Sequence, residues 1–151
     1  MSSPLREQII KTTNLFLEAF NEFTPESVVR YRSPDCRQRL LPATMKSPPQ
    51  TNAEYAALVG TLQPIVAEFK MRIAEGEEPI VDEVSRKVSM HLKSYSETTV
   101  GLYENEYVVI LTLSEDGKSI VDIIEFVDSS YTIEWMPRFT AAAQEAAKKK
   151  S

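Results

Sequence analysis

"IIEFVDSSYTIEW", residues 123–135, changes from a strand pattern to a helix pattern and places two carboxylates among apolar neighbours. The run up to Val127 is rich in β-branched and aromatic residues, which is typical of a buried strand. Asp128 stands where the helical segment begins, so its simplest role is an N-cap that accepts backbone N–H bonds. Glu125 lies inside the strand, where burial would raise its pKa and make it an acid near neutral pH. A salt bridge from Glu125 to a neighbouring strand is the alternative, and alternation alone does not say which of Asp122 and Glu125 faces inward.

Outward from this stretch, the chain divides into helices, a run of strands and a final helix. Helical spacing and capping signals predict helices over residues 5–23, about 24–32, and 51–64, with a closing helix over 132–148. Period-two alternation in "FKMRI", "PIVDE", "KVSMHLKSY", "YVVILTL" and "SIVDIIEFV" predicts antiparallel strands, the last two joined by a hairpin at Asp116-Gly117. The expected fold is a single α+β domain over 1–151, in which the helices cover one face of a curved antiparallel sheet and leave a cone-shaped cavity. Because "YVVILTL" is apolar on both faces, the outer face is expected to meet a second copy of the chain.

Composition excludes several classes of function. The 151 residues carry a net charge of −5 without a basic stripe, which argues against nucleic acid as a partner. One cysteine, Cys36, and one histidine, His91, cannot form an internal disulfide or a usual protein-only zinc site. No apolar run is long enough for a signal peptide or a membrane span, so a cytoplasmic location without membrane contact is expected.

Several segments carry a resemblance to a known family. A proline-rich lead into the third helix, a meander ending in "EFVDS" and a C-terminal helix resemble the SnoaL-like branch of the nuclear transport factor two-like superfamily. Within that branch, "SPDCRQRLLP", "NAEYA", "NEYVVIL" and "IIEFVDSSY" resemble small fungal isomerases and cyclases of meroterpenoid and polyketide pathways. The resemblance implies a cofactor-free homodimer whose cone binds a hydrophobic polycyclic intermediate and whose acid and base groups move protons. A related dehydratase and a non-catalytic binding or dimerisation module on the same fold are the alternatives.

Two of the candidate acid–base residues lie outside the opening stretch. Glu54 matches the family position at the mouth of the cone, but Thr51 stands at the spacing of a capping box, which would occupy the same carboxylate. His91 has the one side chain whose unshifted pKa lies near neutrality, and it shares a strand face with Ser89 and Lys93. In this scheme Glu54 and either Glu125 or His91 act on the substrate as proton donor and acceptor.

Two arginines are candidates for binding a developing oxyanion. Arg37 and Arg39 share one face of an extended segment, and Arg39, next to the apolar "LLP", is the one expected to turn inward. No nucleophile motif surrounds Cys36, so a Cys36–His91 pair is not expected. The predicted substrate-binding residues are Arg37, Phe20, Tyr55, Leu58, Met71, Asp82, Met90 and Tyr107, although the apolar members would fill any core.

Overall fold

Six strands form one sheet, and three α-helices cover it in this computed structural model of residues 1–151. The elements are α1 (Pro4–Glu22), β1 (Arg32–Leu41), α2 (Asn52–Leu62), β2 (Val66–Ile73), β3 (Ile80–Asp82), β4 (Lys87–Thr98), β5 (Gly101–Leu113), β6 (Ile120–Val127) and α3 (Ser129–Lys148). The strand order is β1-β6-β5-β4-β2, with β3 paired to β4, so the curved sheet stays open at β1 and β2. The predicted α+β fold with a helix-covered curved sheet is confirmed.

The segment predicted as the second helix forms a single 3₁₀ turn, Ser27–Val29. The hydroxyl of Thr24 accepts a hydrogen bond from the Ser27 backbone N–H, and the Ser27 hydroxyl accepts one from the Thr24 N–H, both at 3.0 Å. These side chains satisfy backbone groups locally, which competes with a continuing helix. The chain therefore turns at once into β1.

The sheet is mixed rather than wholly antiparallel, because β1 runs parallel to β6. β1 is also longer than the short extended piece that the sequence predicts, and its register shifts between Arg32 and Arg37. Pro34 lies in that interval; a residue without an N–H suits an irregular edge strand. The parallel pairing places the even-numbered side chains of β1 beside the inward side chains of β6.

The core lies between α1, α2 and the inner face of the sheet. Ser3 caps α1 by accepting the Arg6 N–H at 3.1 Å, and Pro4 occupies the first turn. The Thr12 hydroxyl donates to the Gly117 carbonyl at 2.6 Å, which fixes α1 against the predicted Asp116-Gly117 turn. The largest fully buried side chains include Ile9, Met90, Leu92, Leu111, Leu113, Ile120 and Ile123. None of the helices has both the length and the apolar character that crossing a membrane requires.

Residues 123–135 change from strand to helix at Asp128, as the sequence pattern predicts. β6 ends at Val127, and the Asp128 carboxylate accepts the Tyr131 N–H at 3.2 Å to cap α3. The predicted N-cap is confirmed. α3 then continues through Pro137 to Lys148.

Loss of the Asp128 cap is expected to lower the free energy of unfolding. Replacing Asp128 by Ala leaves the first-turn N–H groups of α3 without their side-chain acceptor and is expected to lower the free energy of unfolding by about 1 kcal/mol. Asp128→Asn, which keeps an acceptor oxygen, is the matched control and should retain most of the stability. Urea unfolding measures both, and equal stabilities of the Ala and Asn variants would contradict the capping role.

Candidate functional site

A small apolar pocket lies between the inner face of the sheet and the helices α2 and α3. Its volume is about 180 Å³, and most of its 19 lining residues are hydrophobic. The strands β1, β4, β5 and β6 supply its polar wall through Gln38, Ser96, Asn105, Tyr107 and Glu125. An apolar cavity with a few polar groups on one wall is the usual form of a small-molecule site.

Glu125 is the carboxyl group of this wall. On the parallel and antiparallel neighbours of β6, the residues opposite Glu125 are Leu40 and Val109, so its carboxyl emerges between apolar side chains. The Gln38 amide donates to a Glu125 oxygen at 2.6 Å. Burial raises the pKa of Glu125, and the Gln38 hydrogen bond and the charge of Arg32 offset this only in part. Glu125 therefore holds a proton more tightly than an ordinary glutamate.

A buried arginine lies behind this wall. Arg32 is only 8% exposed, and none of its three guanidinium nitrogen atoms has a hydrogen-bond partner. Its guanidinium carbon lies 4.6 Å from the centre of the Tyr55 ring, a cation–π contact. Its charge lowers the pKa of Glu125, although burial raises it more. Arg32 thus supplies an uncompensated positive charge beside the pocket, where a developing anion would feel it strongly.

Three tyrosines bring hydroxyl groups to the pocket. Tyr107 bonds to Ser94 at 2.9 Å, and the Asn105 amide donates to Tyr103 at 2.6 Å and to Thr132 at 2.9 Å. Burial raises the pKa values of Tyr55, Tyr103 and Tyr107, so these hydroxyls keep their protons. The wall is therefore suited to donate hydrogen bonds to an oxygen atom of a ligand.

Aromatic rings from α3, together with Tyr103 from β5, form one side of the pocket. The ring centre of Tyr103 lies 5.5 Å from that of Trp135 and 5.0 Å from that of Phe139. All three residues line the cavity. Such a wall binds flat apolar groups and tolerates positive charge against its faces.

The structure brings four of the predicted site residues to the pocket: Glu125, Tyr55, Leu58 and Tyr107. Phe20, Met71 and Met90 are buried in the core but do not line it. Phe20 instead supports the site from behind, with its ring centre 6.2 Å from that of Tyr55.

The other five predicted residues do not face the pocket. Glu54 is exposed, because its carboxylate accepts the Thr51 N–H at 2.8 Å in the capping box. Arg37 and Arg39 share the outer face of β1, where Arg39 pairs with Asp122 at 2.7 Å. His91 also lies on the outer face of the sheet and hydrogen-bonds Glu106. Asp82 accepts backbone N–H groups of Val84 and Ser85 in an exposed turn.

Strand alternation in the sequence indicates which polar side chains line the pocket. Because Arg37 and Arg39 share the outer face, Gln38 between them must point inward. Tyr103 and Asn105 share the β5 face of Tyr107 by the same rule. Arg32 gives no such signal, because the predicted second helix extends over it.

The pocket offers acid–base groups and hydrogen-bond donors rather than a nucleophile or a metal centre. Burial raises the pKa of the Cys36 thiol to about 11, and Cys36 does not line the cavity. No three His, Cys, Asp or Glu side chains cluster closely enough to hold a metal ion.

Comparison with known proteins identifies the family. No established family profile matches the chain. It is, however, 35% identical over 140 residues to austinoid biosynthesis clusters protein H of Penicillium brasilianum, covering 92% of this chain and 95% of that protein. The chain belongs to the family of the austinoid biosynthesis cluster proteins.

Solved structures related to this austinoid-cluster family agree with the fold. BvnE pinacolase from Penicillium brevicompactum is 39% identical, with a TM-score of 0.88 over 94% of this chain and 97% of that one. A SnoaL-like protein from a Jannaschia species has a TM-score of 0.67 at 12% identity over 88% and 94% of the two chains, which shows the shared fold alone. The resemblance to the fungal biosynthetic proteins is confirmed, and the SnoaL-like protein shares the fold of this chain.

The raised pKa of Glu125 makes stability depend on pH. A carboxyl whose pKa is higher in the folded state than in the unfolded state stabilises the fold at acidic pH, and this contribution is lost as pH rises through the folded pKa. Glu125→Gln removes the titrating group while keeping its shape. The variant is therefore expected to gain stability relative to the parent as pH rises from 4 to 8, measured by urea unfolding. If the free energy of unfolding of the variant minus that of the parent stays constant or falls over this range, the raised pKa is contradicted.

Proposed function

We propose that this protein is a cofactor-free isomerase or cyclase of fungal meroterpenoid biosynthesis, in which Glu125 is the acid–base group. The observation that carries the proposal is a carboxyl group with a raised pKa, bonded to Gln38 on the wall of an apolar pocket. The relatives from austinoid biosynthesis clusters support a substrate of the meroterpenoid class.

Glu125 in its protonated form donates a proton to an oxygen of the substrate. Negative charge that builds on a neighbouring oxygen of the substrate is stabilised by hydrogen bonds from the Tyr103 and Tyr107 hydroxyls. As the bonds rearrange, the substrate releases a proton, which returns to the Glu125 carboxylate. The substrate neither gains nor loses atoms, and the enzyme ends in its starting state, so no cofactor enters this cycle.

The proposed cycle fits an acid-promoted rearrangement such as a pinacol-type shift. In the form of this shift that keeps all atoms, Glu125 protonates the carbonyl oxygen of an α-hydroxy ketone, and a group migrates from the hydroxyl-bearing carbon to the carbonyl carbon. The hydroxyl oxygen then gives its proton to the Glu125 carboxylate as its C–O bond becomes the new carbonyl. BvnE, which is named a pinacolase, is similar to this chain over nearly its full length. The faces of Tyr103, Trp135 and Phe139 would stabilise the positive charge at the migrating centre.

Arg32 acts as a supporting charge behind Glu125. When Glu125 has given up its proton, its carboxylate is attracted by the Arg32 guanidinium in a weakly screened environment. This attraction limits how high the Glu125 pKa rises and keeps the carboxylate accessible as a base. The Gln38 hydrogen bond fixes the orientation of the same group.

A binding module without catalysis is not favoured. A pocket that only binds an apolar ligand gains no affinity from a buried guanidinium without hydrogen-bond partners or from a carboxyl held away from water. Both groups lower the stability of the fold.

Paired glutamate variants test the assignment. Glu125→Gln is expected to lower kcat/KM by ~100-fold or more, because the amide cannot transfer the proton. Glu54→Gln is the matched control and should behave like the parent, since its side chain lies in a capping box outside the pocket. The assay uses the intermediate that accumulates when the gene is deleted from its host. Full activity of Glu125→Gln, or an equal loss in both variants, would remove Glu125 from the mechanism.

We further propose that the protein is a homodimer that pairs through the outer face of the sheet. Val108 on β5 and Phe126 on β6 are cross-strand neighbours there and are 42% and 50% exposed. Ile110 and Ile124 extend the same stripe as the next outward pair. Contiguous apolar side chains on a sheet face are typical of a subunit contact.

A charge placed on this stripe is expected to separate the subunits. Phe126→Glu would bury an unpaired carboxylate in the contact, so sedimentation velocity at micromolar concentration should show a monomer, whereas the parent should sediment as a dimer. Ile133→Glu is the control, because Ile133 is also exposed but lies on α3 and not on the sheet. A monomeric parent protein would contradict the proposed contact.

A further inference from the structure

A second apolar space adjoins the pocket of Glu125. It is a groove of about 550 Å³ between α2 and the C-terminal half of α3. Leu58, Leu62, Met136 and Phe139 line both the groove and the pocket. The two spaces are therefore adjacent, and these four side chains lie between them.

The pocket alone is too small for a polycyclic substrate. Its 180 Å³ lies below the range of roughly 300–1,000 Å³ in which ligand sites usually fall. The groove is about three times larger and shares four lining residues with the pocket. A space of about 1150 Å³ also shares Phe23, Val66, Phe69 and Asn105 with the pocket, but most of its lining residues are polar or charged. A ligand that reaches Glu125 with one end must place its remaining apolar rings elsewhere, and the groove is the apolar neighbouring space.

The groove is lined so that it stays both apolar and open. Three of its seven α3 residues are alanines, and Gly60 lies on α2. Methyl groups of Ala143, Ala146 and Ala147 present apolar surface without side chains long enough to fill the space. A helix pair that served only to pack would be expected to carry larger apolar residues at these positions.

The hydroxyl groups of the two threonines that line the groove donate hydrogen bonds within their own helices. The Thr61 hydroxyl donates to the Leu58 carbonyl at 2.7 Å, and the Thr140 hydroxyl donates to the Met136 carbonyl at 2.9 Å. Both hydroxyls are satisfied within their own helices. Gln144 and Lys150 also line the groove, and the two threonines add no free hydroxyl proton to its wall, whereas the wall of the pocket carries the buried Gln38–Glu125 pair.

We infer that the substrate has two parts: a compact, oxygen-bearing end that reacts at Glu125, and an apolar fused-ring remainder that lies in the groove between α2 and α3. This inference rests on the proposed function of the pocket and adds where the bulk of the substrate lies. Met136 stands at the boundary, where its flexible side chain adapts to the junction. The residues that face the groove, rather than those around Glu125, then determine which ring system is accepted.

Two probes of different size test the inference without requiring turnover. 2-Naphthol has two rings and suits the pocket, whereas progesterone has four rings and must extend into the groove. Ala143→Phe narrows the groove without touching the pocket. It is expected to weaken progesterone binding by ~10-fold or more, as loss of apolar contact does, and to leave 2-naphthol binding unchanged. Equilibrium dialysis measures both affinities.

Two further variants complete the design. Ala147→Phe, at an exposed position of the same groove, should repeat the selective loss if Ala143→Phe folds poorly. Ala141→Phe makes the same change on the same helix outside the groove and should bind both probes as the parent does.

The outcomes separate this inference from the proposed function. Unchanged progesterone binding in both groove variants would overturn the inference, as would an equal loss of both probes, and either result would leave the role of Glu125 standing. A parent protein that binds neither probe would overturn the pocket itself, and the proposed function with it.

Discussion

The parallel pairing of β1 with β6 is the constraint on which the site depends. Leu40 lies opposite Glu125 in this register, and Gln38 lies two residues earlier on the same face of β1. The pairing therefore brings the Gln38 amide to the Glu125 carboxyl and carries Arg32, at the start of β1, beneath Tyr55. A register slip of one residue would turn the exposed arginines 37 and 39 toward the pocket and Gln38 away from it.

This arrangement is not the one that would make the fold most stable. A buried guanidinium without hydrogen-bond partners and a carboxyl between apolar neighbours each cost free energy that packed hydrophobic side chains would not. The extensive core around Ile9, Leu92 and Leu111 offsets that cost. Groups held at a cost beside a cavity, each biasing the charge of the other, are characteristic of sites that move protons.

Local sequence signals predicted the elements whose determinants lie within a few residues. The Thr51–Glu54 capping box, the Asp128 cap and the turn at Gly117 all depend on neighbouring side chains and were correctly predicted. The parallel partner of β6 could not be predicted, because nearly ninety residues separate Gln38 from Glu125 and no local pattern encodes the pairing.

The same distinction explains the site residues. Glu125 and Tyr107 line the pocket, as the sequence predicts, because their large apolar neighbours in the strands indicate a buried surface. His91 is a candidate because the pKa of an unperturbed histidine lies near neutrality. Its strand neighbours Met90 and Leu92 are buried, however, so alternation places the His91 ring on the outer face. Arg32 required knowledge of the fold, because a long cationic side chain is ordinarily exposed.

The most direct test of the account is a pH titration of the Glu125 side-chain carboxyl by ¹³C NMR, in the parent protein and in Arg32→Met. The account predicts a midpoint above that of an ordinary glutamate in the parent, because burial disfavours the charged form. It predicts a further rise in the variant, because the nearby positive charge is gone. An ordinary midpoint that does not respond to the loss of Arg32 would contradict it.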